Sequence, residues 1–354
     1  MPSYFQRYYY IAFFLLFLIV LAYWIEINVI VDEQFNAAFS NSLTLLVNIF
    51  STVCLFWAAK RSIRYSKTAA FPWFILGVAQ FLNTIGDLLW AYIELFLPQP
   101  PFPSVADIFY VLFYPLFFAG ILLLPKNRDH AEQWSKRILD MSIVLIAAFL
   151  ILWNYVIGPL ALSNNYVSLW VLILSMAYPV GDLVLFWAVV VLLYRQVDKA
   201  DRGPVFLLVI SAIFLVVADI IFSIQSMTGE YVSGSLLDIS WVLSYLFLGF
   251  SGVLKGLTVS REGEHQAFLF TTAFNNLNSL ASLFPFIWIS GTFALLIHSF
   301  FQPMVMESLY ISIGVTAIVF LFFIRQHITL IENRKLFKRL DRALKRVQEQ
   351  ALAL

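Results

Sequence analysis

The chain is poor in the residues that carry most solution chemistry. It has one cysteine, Cys54, and four histidines, and only 12% of its residues are charged, where a soluble domain has roughly 25%. A single cysteine forms no internal disulfide and no thiolate metal cluster. His130, His265 and His327 fall in polar connecting segments and His298 near the end of an apolar one, so no facing pair exists to ligate haem inside a bundle. No HExxH, Walker A or nucleophile-elbow pattern occurs. No lysine lies inside an apolar segment, where a retinal Schiff base would need it. The expectation is a chain without enzyme activity, metal site, cofactor or nucleic-acid partner, leaving room for a small ligand or cation.

What is abundant is apolar surface. Of the 354 residues 61% are hydrophobic, and the mean hydropathy is +0.85. A membrane-crossing helix needs about 20 largely apolar residues, because it rises roughly 1.5 Å per residue through a layer about 30 Å thick. Ten windows qualify: 8 to 30, 37 to 59, 70 to 97, 105 to 125, 138 to 158, 167 to 194, 203 to 227, 235 to 254, 279 to 300 and 307 to 325. The first lacks a basic leader and a small-residue cleavage site, and Trp24 and Glu26 stand where cleavage would fall, so it reads as a permanent helix. No Gly/Ser- or Pro-rich linker interrupts the series. The expected fold is all-α and polytopic, a membrane bundle over 1–326 followed by a stalk over 327–354.

Lysine and arginine set the orientation. All 22 lie in Arg7, the 60–67, 126–137, 195–202 and 255–261 segments, and the tail from Arg325 to Arg346. Every one of those segments falls on the same side of the ten spans. The opposite loops, near Asp32, Pro100, Asn164, Glu230 and Pro303, carry none. Both termini are therefore expected in the cytoplasm, in an inner-membrane protein with an acidic outer face.

The sequence also repeats itself. Ser104–Tyr114 reads SVADIFYVLFY and Ser235–Tyr245 reads SLLDISWVLSY, agreeing at Ser, Asp, Ile, Val, Leu and Tyr. Upstream, Asp87 in GDLLW matches Asp219 in ADIIF. The helix pair 70–125 thus parallels the pair 203–254. The pair 138–194, whose Tyr178-Pro179 echoes Tyr114-Pro115, reads as a diverged third copy.

Carboxylates inside a membrane cost roughly 2.5 to 3.5 kcal/mol each on insertion scales, and here they fall on shared helix faces. Asn83, Asp87, Trp90 and Glu94 are spaced 4, 3 and 4; Asp107, Tyr110 and Tyr114 share a face, as do Asp219, Ser223, Ser226 and Glu230, and Asp238, Trp241 and Tyr245. Asp182 stands nearer the middle of its span. With no basic residue at that depth, the acids need a proton, a cation or hydrogen-bond donors. Asp107 and Asp238, following Pro103-Ser104 and Gly234-Ser235, can alternatively serve as N-caps. The candidate ligand-binding set is Asp87, Trp90, Glu94, Asp107, Tyr110, Tyr114, Asp182, Asp219, Asp238, Trp241 and Tyr245, an acid-and-aromatic lining suited to a cationic or amphipathic small molecule.

The tail carries a heptad seam. Leu330, Asn333, Phe337, Leu340, Leu344, Val347, Ala351 and Leu354 are spaced 3 and 4 in strict alternation, which predicts a parallel homodimeric coiled coil with Asn333 fixing register. Its basic residues equally permit a helix lying on anionic lipid. The seam is still running at Leu354, as in a receptor ahead of its output domain.

The series GDLLWAYIELFLPQPPFPSVADIFYVLFYPL, AYPVGDLVLFW and ADIIFSIQSMTGEYVSGSLLDISWVLSYLFLG resembles the multi-spanning membrane sensor region found ahead of diguanylate cyclase (GGDEF), EAL phosphodiesterase, PAS and histidine-kinase outputs in bacteria and archaea. The resemblance covers about residues 70 to 255, through Asp87, Trp90, Glu94, Pro103, Ser104, Asp107, Tyr110, Tyr114, Pro115, Tyr178, Pro179, Asp182, Asp219, Gly234, Ser235, Asp238, Trp241 and Tyr245. It implies a sensory input module serving cyclic di-GMP or two-component signalling through a fused or associated cytoplasmic domain. The competing expectation is a proton- or cation-coupled transporter using the intramembrane Asp residues.

The topology is directly testable. In a Cys54→Ser background, cysteines placed at 100 and 230 should react with a membrane-impermeant thiol reagent in sealed cells, and cysteines at 126 and 199 should not. Labelling at 126 or 199 would invert or break the assignment.

Overall fold

The computed structural model describes residues 14, 18, 21–23, 32–125, 131–162, 169–195, 197–198, 201–228, 230–258 and 283–352. Among them every regular element is helical, and nine helices are long and apolar enough to cross a membrane. The protein is an all-α polytopic membrane protein. Nine of the ten expected spans are these helices; most of the first, 8 to 30, lies outside the described residues.

In chain order the helices are α1 (Glu33–Ser62), α2 (Lys67–Phe96), α3 (Ala106–Leu123), α4 (Ala131–Leu152), α5 (Leu169–Tyr194), α6 (Arg202–Thr228), α7 (Leu236–Thr258), α8 (Phe284–Phe301) and α9 (Ser308–Leu352). A π-helical turn, Trp153–Ile157, and a last turn, Gly158–Leu162, continue α4. Polar side chains fix two of the starts. Asp32 accepts from the Phe35 N–H at 2.8 Å ahead of α1, and Ser66 from the Ala69 N–H at 3.3 Å ahead of α2, each meeting a donor that the first turn leaves unpaired.

The chain forms two compact units, Met1–Asn127 with Leu152–Ala281, and Arg128–Ile151 with Ser282–Leu354. The boundary expected at residue 326 falls within α9, which runs through that point without a break.

In the first unit the packing closes on itself. Helix α1 packs on α2 and α7, α2 on α3, α3 on α5, α5 on α6, and α6 on α7. This is a ring of six, in which α1 stands opposite α5, α2 opposite α6 and α3 opposite α7. Opposite members run the same way. The repeat therefore has a different extent from the expected three helix pairs: two copies of a three-helix unit, α1–α3 and α5–α7, joined by α4. Helices α3 and α5, carrying Tyr114-Pro115 and Tyr178-Pro179, are ring neighbours and not equivalents. A signal for this was present, since Leu55–Ala58 and Leu185–Ala188 both read LFWA, in step with the Asp87/Asp219 and Asp107/Asp238 matches.

The seam between α1 and α7 joins helices distant in sequence, and glycine makes it possible. Gly249, Gly252 and Gly256 lie against Phe50, Cys54 and Trp57; a Cβ on Gly252 would stand 2.8 Å from the Cys54 backbone. Lipid supplies no hydrophobic drive for helices to associate, so close backbone approach and polar bonds must hold them. At the basic end, Arg195 donates to the Ile121 and Leu122 carbonyls that end α3, Lys255 pairs with Asp201, and Arg61 lies over the Trp57 ring, 5.8 Å from its centroid.

In the second unit, Ile143, Ala147 and Leu150 of α4 bury against Leu295 of α8 and Ile311, Val315 and Ile318 of α9. Arg325 pairs with Asp140 at 3.0 Å, and Lys136 with Glu332. Helix α9 has 45 residues, about 68 Å at 1.5 Å per residue, more than twice the hydrocarbon thickness.

The glycine seam is testable because a neighbouring methyl there meets backbone. Gly252→Ala should lower stability in detergent by about 1–3 kcal/mol through overpacking. Gly291→Ala is the control: its Cβ would stand 3.7 Å from Ile151, and the change should be near neutral. Equal denaturant midpoints for the two variants would contradict the packing.

Candidate functional site

The acids are placed by glycine-backed tyrosines. Gly86 and Gly181 each precede an aspartate, and each lies beneath a tyrosine ring, Tyr110 over Gly86 and Tyr114 over Gly181; a Cβ on either would come within 2.6 Å of that ring. The bare backbone lets the ring lie flat against the neighbouring helix, so that its hydroxyl reaches the adjacent carboxylate. Tyr110 of α3 donates to Asp87 of α2 at 2.9 Å. Tyr114 of α3 bridges Asp182 of α5 at 3.5 Å and Asp219 of α6 at 3.2 Å. In the second copy Trp241 occupies the place of Tyr110, and its indole N–H donates to Asp219 at 2.8 Å. Tyr245, the counterpart of Tyr114, faces Asn83 and Asp87 across the ring.

Helix α1 supplies a third wall that the sequence reading passed over. Asn48 donates to Asp87 at 2.6 Å while its carbonyl accepts from Gln80 at 2.6 Å and Thr84 at 2.7 Å. Ser40 donates to Asp238 at 2.7 Å and Asn41 to Glu94 at 2.7 Å. The signal was there: Ser40, Thr44, Asn48 and Thr52 recur every fourth residue along α1, which makes a polar stripe.

Asp107 and Asp238 hold their helix starts, but not as N-caps. They stand at the second residue of α3 and the third of α7 and fold back onto peptide N–H groups before the helix, those of Ser104 and Gly234. Tyr178 of α5 also donates to Asp107, and Tyr231 to Asp238 at 3.1 Å. Burial and the nearby Asp238 carboxylate raise the Tyr231 hydroxyl well above its ordinary range, so it remains a donor. Glu94 takes three donors on one oxygen, from Asn41, Trp90 at 3.1 Å and Ser233 at 3.0 Å.

These side chains enclose a cavity of about 100 Å³ in the first unit, toward the acidic end of the ring. Of the expected residues, Asp87, Trp90, Tyr110, Tyr114, Asp219, Asp238, Trp241 and Tyr245 line it. Glu94, Asp107 and Asp182 stand one layer back, tied to the lining residues Trp90, Tyr178 and Tyr114. Asn41, Thr44, Asn83, Tyr178, Phe222 and Tyr231 join the lining without having been singled out as binding residues. Phe222 centres an edge-to-face aromatic cluster, with ring centroids 4.9 Å from Tyr231, 5.6 Å from Trp241 and 6.1 Å from Trp90.

Among the described residues no lysine or arginine lines the cavity, and no three His, Cys, Asp or Glu side chains converge as metal ligands. The arrangement can hold positive charge or donors against buried carboxyl groups. Comparison of the chain with protein-family models, with curated proteins and with solved structures gives no match.

Two substitutions test the network. Tyr110→Phe removes one hydrogen bond to a buried carboxylate and should cost about 1.5–3 kcal/mol. Asn48→Leu strands Asp87, Gln80 and Thr84 together and should cost more. Unfolding in detergent measures both, and a neutral Asn48→Leu would mean that α1 does not hold the acids.

Proposed function

We propose that the chain is the membrane-embedded sensory input module of a signal-transduction receptor, a parallel homodimer of the inner membrane with both termini in the cytoplasm. Its output is a fused or associated cytoplasmic domain of the diguanylate cyclase, phosphodiesterase or histidine-kinase kind that the sequence resemblance implies. The observation that carries this reading is α9. It is a single helix long enough to cross the bilayer and continue beyond it, and Leu330, Phe337, Leu340 and Leu344 on its heptad seam are each more than half exposed. Asn333 of the seam is exposed as well; the side chain of Val347 lies outside the described residues. Two copies bury such a stripe against each other. The cavity supplies the other requirement of a sensor, a partly open site toward the outer face that different guests can fill differently. A guest that binds one packing of the ring better than another shifts the population toward it, by no more than its difference in affinity.

One observation favours a carrier instead. Two parallel three-helix copies with matched Asp87 and Asp219 around a central cavity are also how cation-coupled transporters are built. A carrier has no use for a dimeric stalk, which makes the stalk the deciding feature.

Leu340→Asp together with Leu344→Asp puts charge into the seam, where an unpaired buried charge is strongly unfavourable. Disulfide cross-linking through a cysteine at 337 should be efficient in the parent and fall at least about tenfold in the double variant, a loss of about 1.4 kcal/mol or more in association. The unfolding of the ring should not change. Absence of cross-linking in the parent would overturn the stalk, and cation uptake into proteoliposomes would then favour the carrier.

A further inference from the structure

The sensory reading leaves the guest unnamed, and resting on that reading, the lining narrows it. Asp87, Asp219 and Asp238 come from three helices, and each is drawn into the wall by at least two donors of its own: Asn48 and Tyr110, Trp241 and Tyr114, Gly234 with Ser40 and Tyr231. They surround the space without converging on a point. A metal ion needs several oxygens at one centre, and no three His, Cys, Asp or Glu side chains meet at one among the described residues. What remains is a set of carboxyl groups, with no basic residue among the described residues that line the cavity, over walls of Trp90, Trp241 and Tyr231. Aromatic faces favour a cation whose charge is spread over a hydrocarbon body.

Asn83 adds an independent requirement. Its side chain lines the cavity and is 4% exposed, and the one polar group its amide nitrogen meets is the Tyr245 hydroxyl, without good hydrogen-bond geometry. An amide carries two N–H donors, so at least one stays without an acceptor, and a buried N–H left so is costly. A bare proton on the acids would leave it unmet, whereas a guest carrying an oxygen would satisfy it. The cavity of about 100 Å³ suits a small guest, since on the same measure one water needs roughly 10–15 Å³.

We propose that this cavity binds a small organic ammonium bearing a hydroxyl or carbonyl oxygen, with the cationic head among Trp90, Trp241, Tyr231 and the three aspartates, and the oxygen at the Asn83 amide. The ammonium can come from a free solute or from a lipid headgroup.

Calorimetric titration of the full chain tests this, in nanodiscs of phosphatidylglycerol, which brings no ammonium of its own. The probes are choline, tetramethylammonium and 3,3-dimethylbutanol, the neutral isostere of choline. Choline should bind saturably, and the neutral alcohol at least about tenfold more weakly. Trp241→Leu and Asp219→Asn should each weaken choline about tenfold. Asn83→Leu should weaken choline and leave tetramethylammonium, which has no oxygen, unchanged. Retained melting temperature shows which variants are folded, and Tyr231→Phe, which keeps the ring, stands in for any that is not; it should weaken choline by a smaller factor.

Phosphatidylcholine nanodiscs separate the two sources: weakened choline binding there identifies the headgroup, unchanged binding the free solute. Equal binding of the neutral alcohol, or no saturable binding of either cation to folded protein, overturns the proposal. Choline binding without any change in tail cross-linking would keep this site and remove the sensory reading. A tail response to another stimulus, without choline binding, would do the reverse.

Discussion

The first unit depends on one kind of bond: a carboxylate on one helix accepting from an uncharged donor on the next. Followed around the ring, such a bond occurs at five of the six seams. Asn48 joins α1 to α2, Tyr110 joins α3 to α2, Tyr178 joins α5 to α3, Trp241 joins α7 to α6, and Ser40 closes α1 onto α7; at the sixth, α5–α6, Tyr114 of α3 donates to an aspartate on each helix. Helices in lipid gain little from hydrophobic burial against one another, so interhelical hydrogen bonds and close backbone contact decide which neighbours they keep. The same acids that define the cavity are therefore what holds its walls together.

That double duty explains the glycines and tyrosines around them. Gly86 and Gly181 let a ring lie on the backbone so that its hydroxyl arrives at the next residue's carboxylate, and Gly252 brings α7 onto the α1 backbone at Cys54, on the seam that Ser40 and Asp238 close further along. Among the described residues the salt bridges lie at the basic end and in the second unit, as at Lys255–Asp201, Arg325–Asp140 and Lys136–Glu332. At the cavity end the described partners of the carboxyl groups are uncharged donors.

Much of this is written where charge meets periodicity. The spans follow from apolar runs, and the faces bearing Asp87, Asp219 and Asp238 follow from spacings of three and four. The polar stripe of α1 was harder to see because Ser40, Thr44 and Asn48 carry no charge to draw attention within a hydrophobic helix. The three-helix extent of the repeat was harder to see because α1 and α5 share little beyond LFWA at Leu55–Ala58 and Leu185–Ala188, and the ring contacts set those two helices opposite each other. The closure of α1 onto α7 links residues such as Ser40 and Asp238, far apart in the chain, and no local pattern encodes that.

The imperfect likeness of the two copies also has a geometric consequence. Asn83 and Leu215 hold matching places on α2 and α6, and both face the cavity, one with an amide and the other with a methyl-bearing chain. A ring with true twofold symmetry would accept an elongated guest in two orientations related by half a turn, equal in energy. Replacing one amide by leucine removes that degeneracy. The guest then has a head and a tail direction fixed by the protein, at an entropic cost of only RT ln 2, about 0.4 kcal/mol. Which half of the ring it presses on first ceases to be a matter of chance.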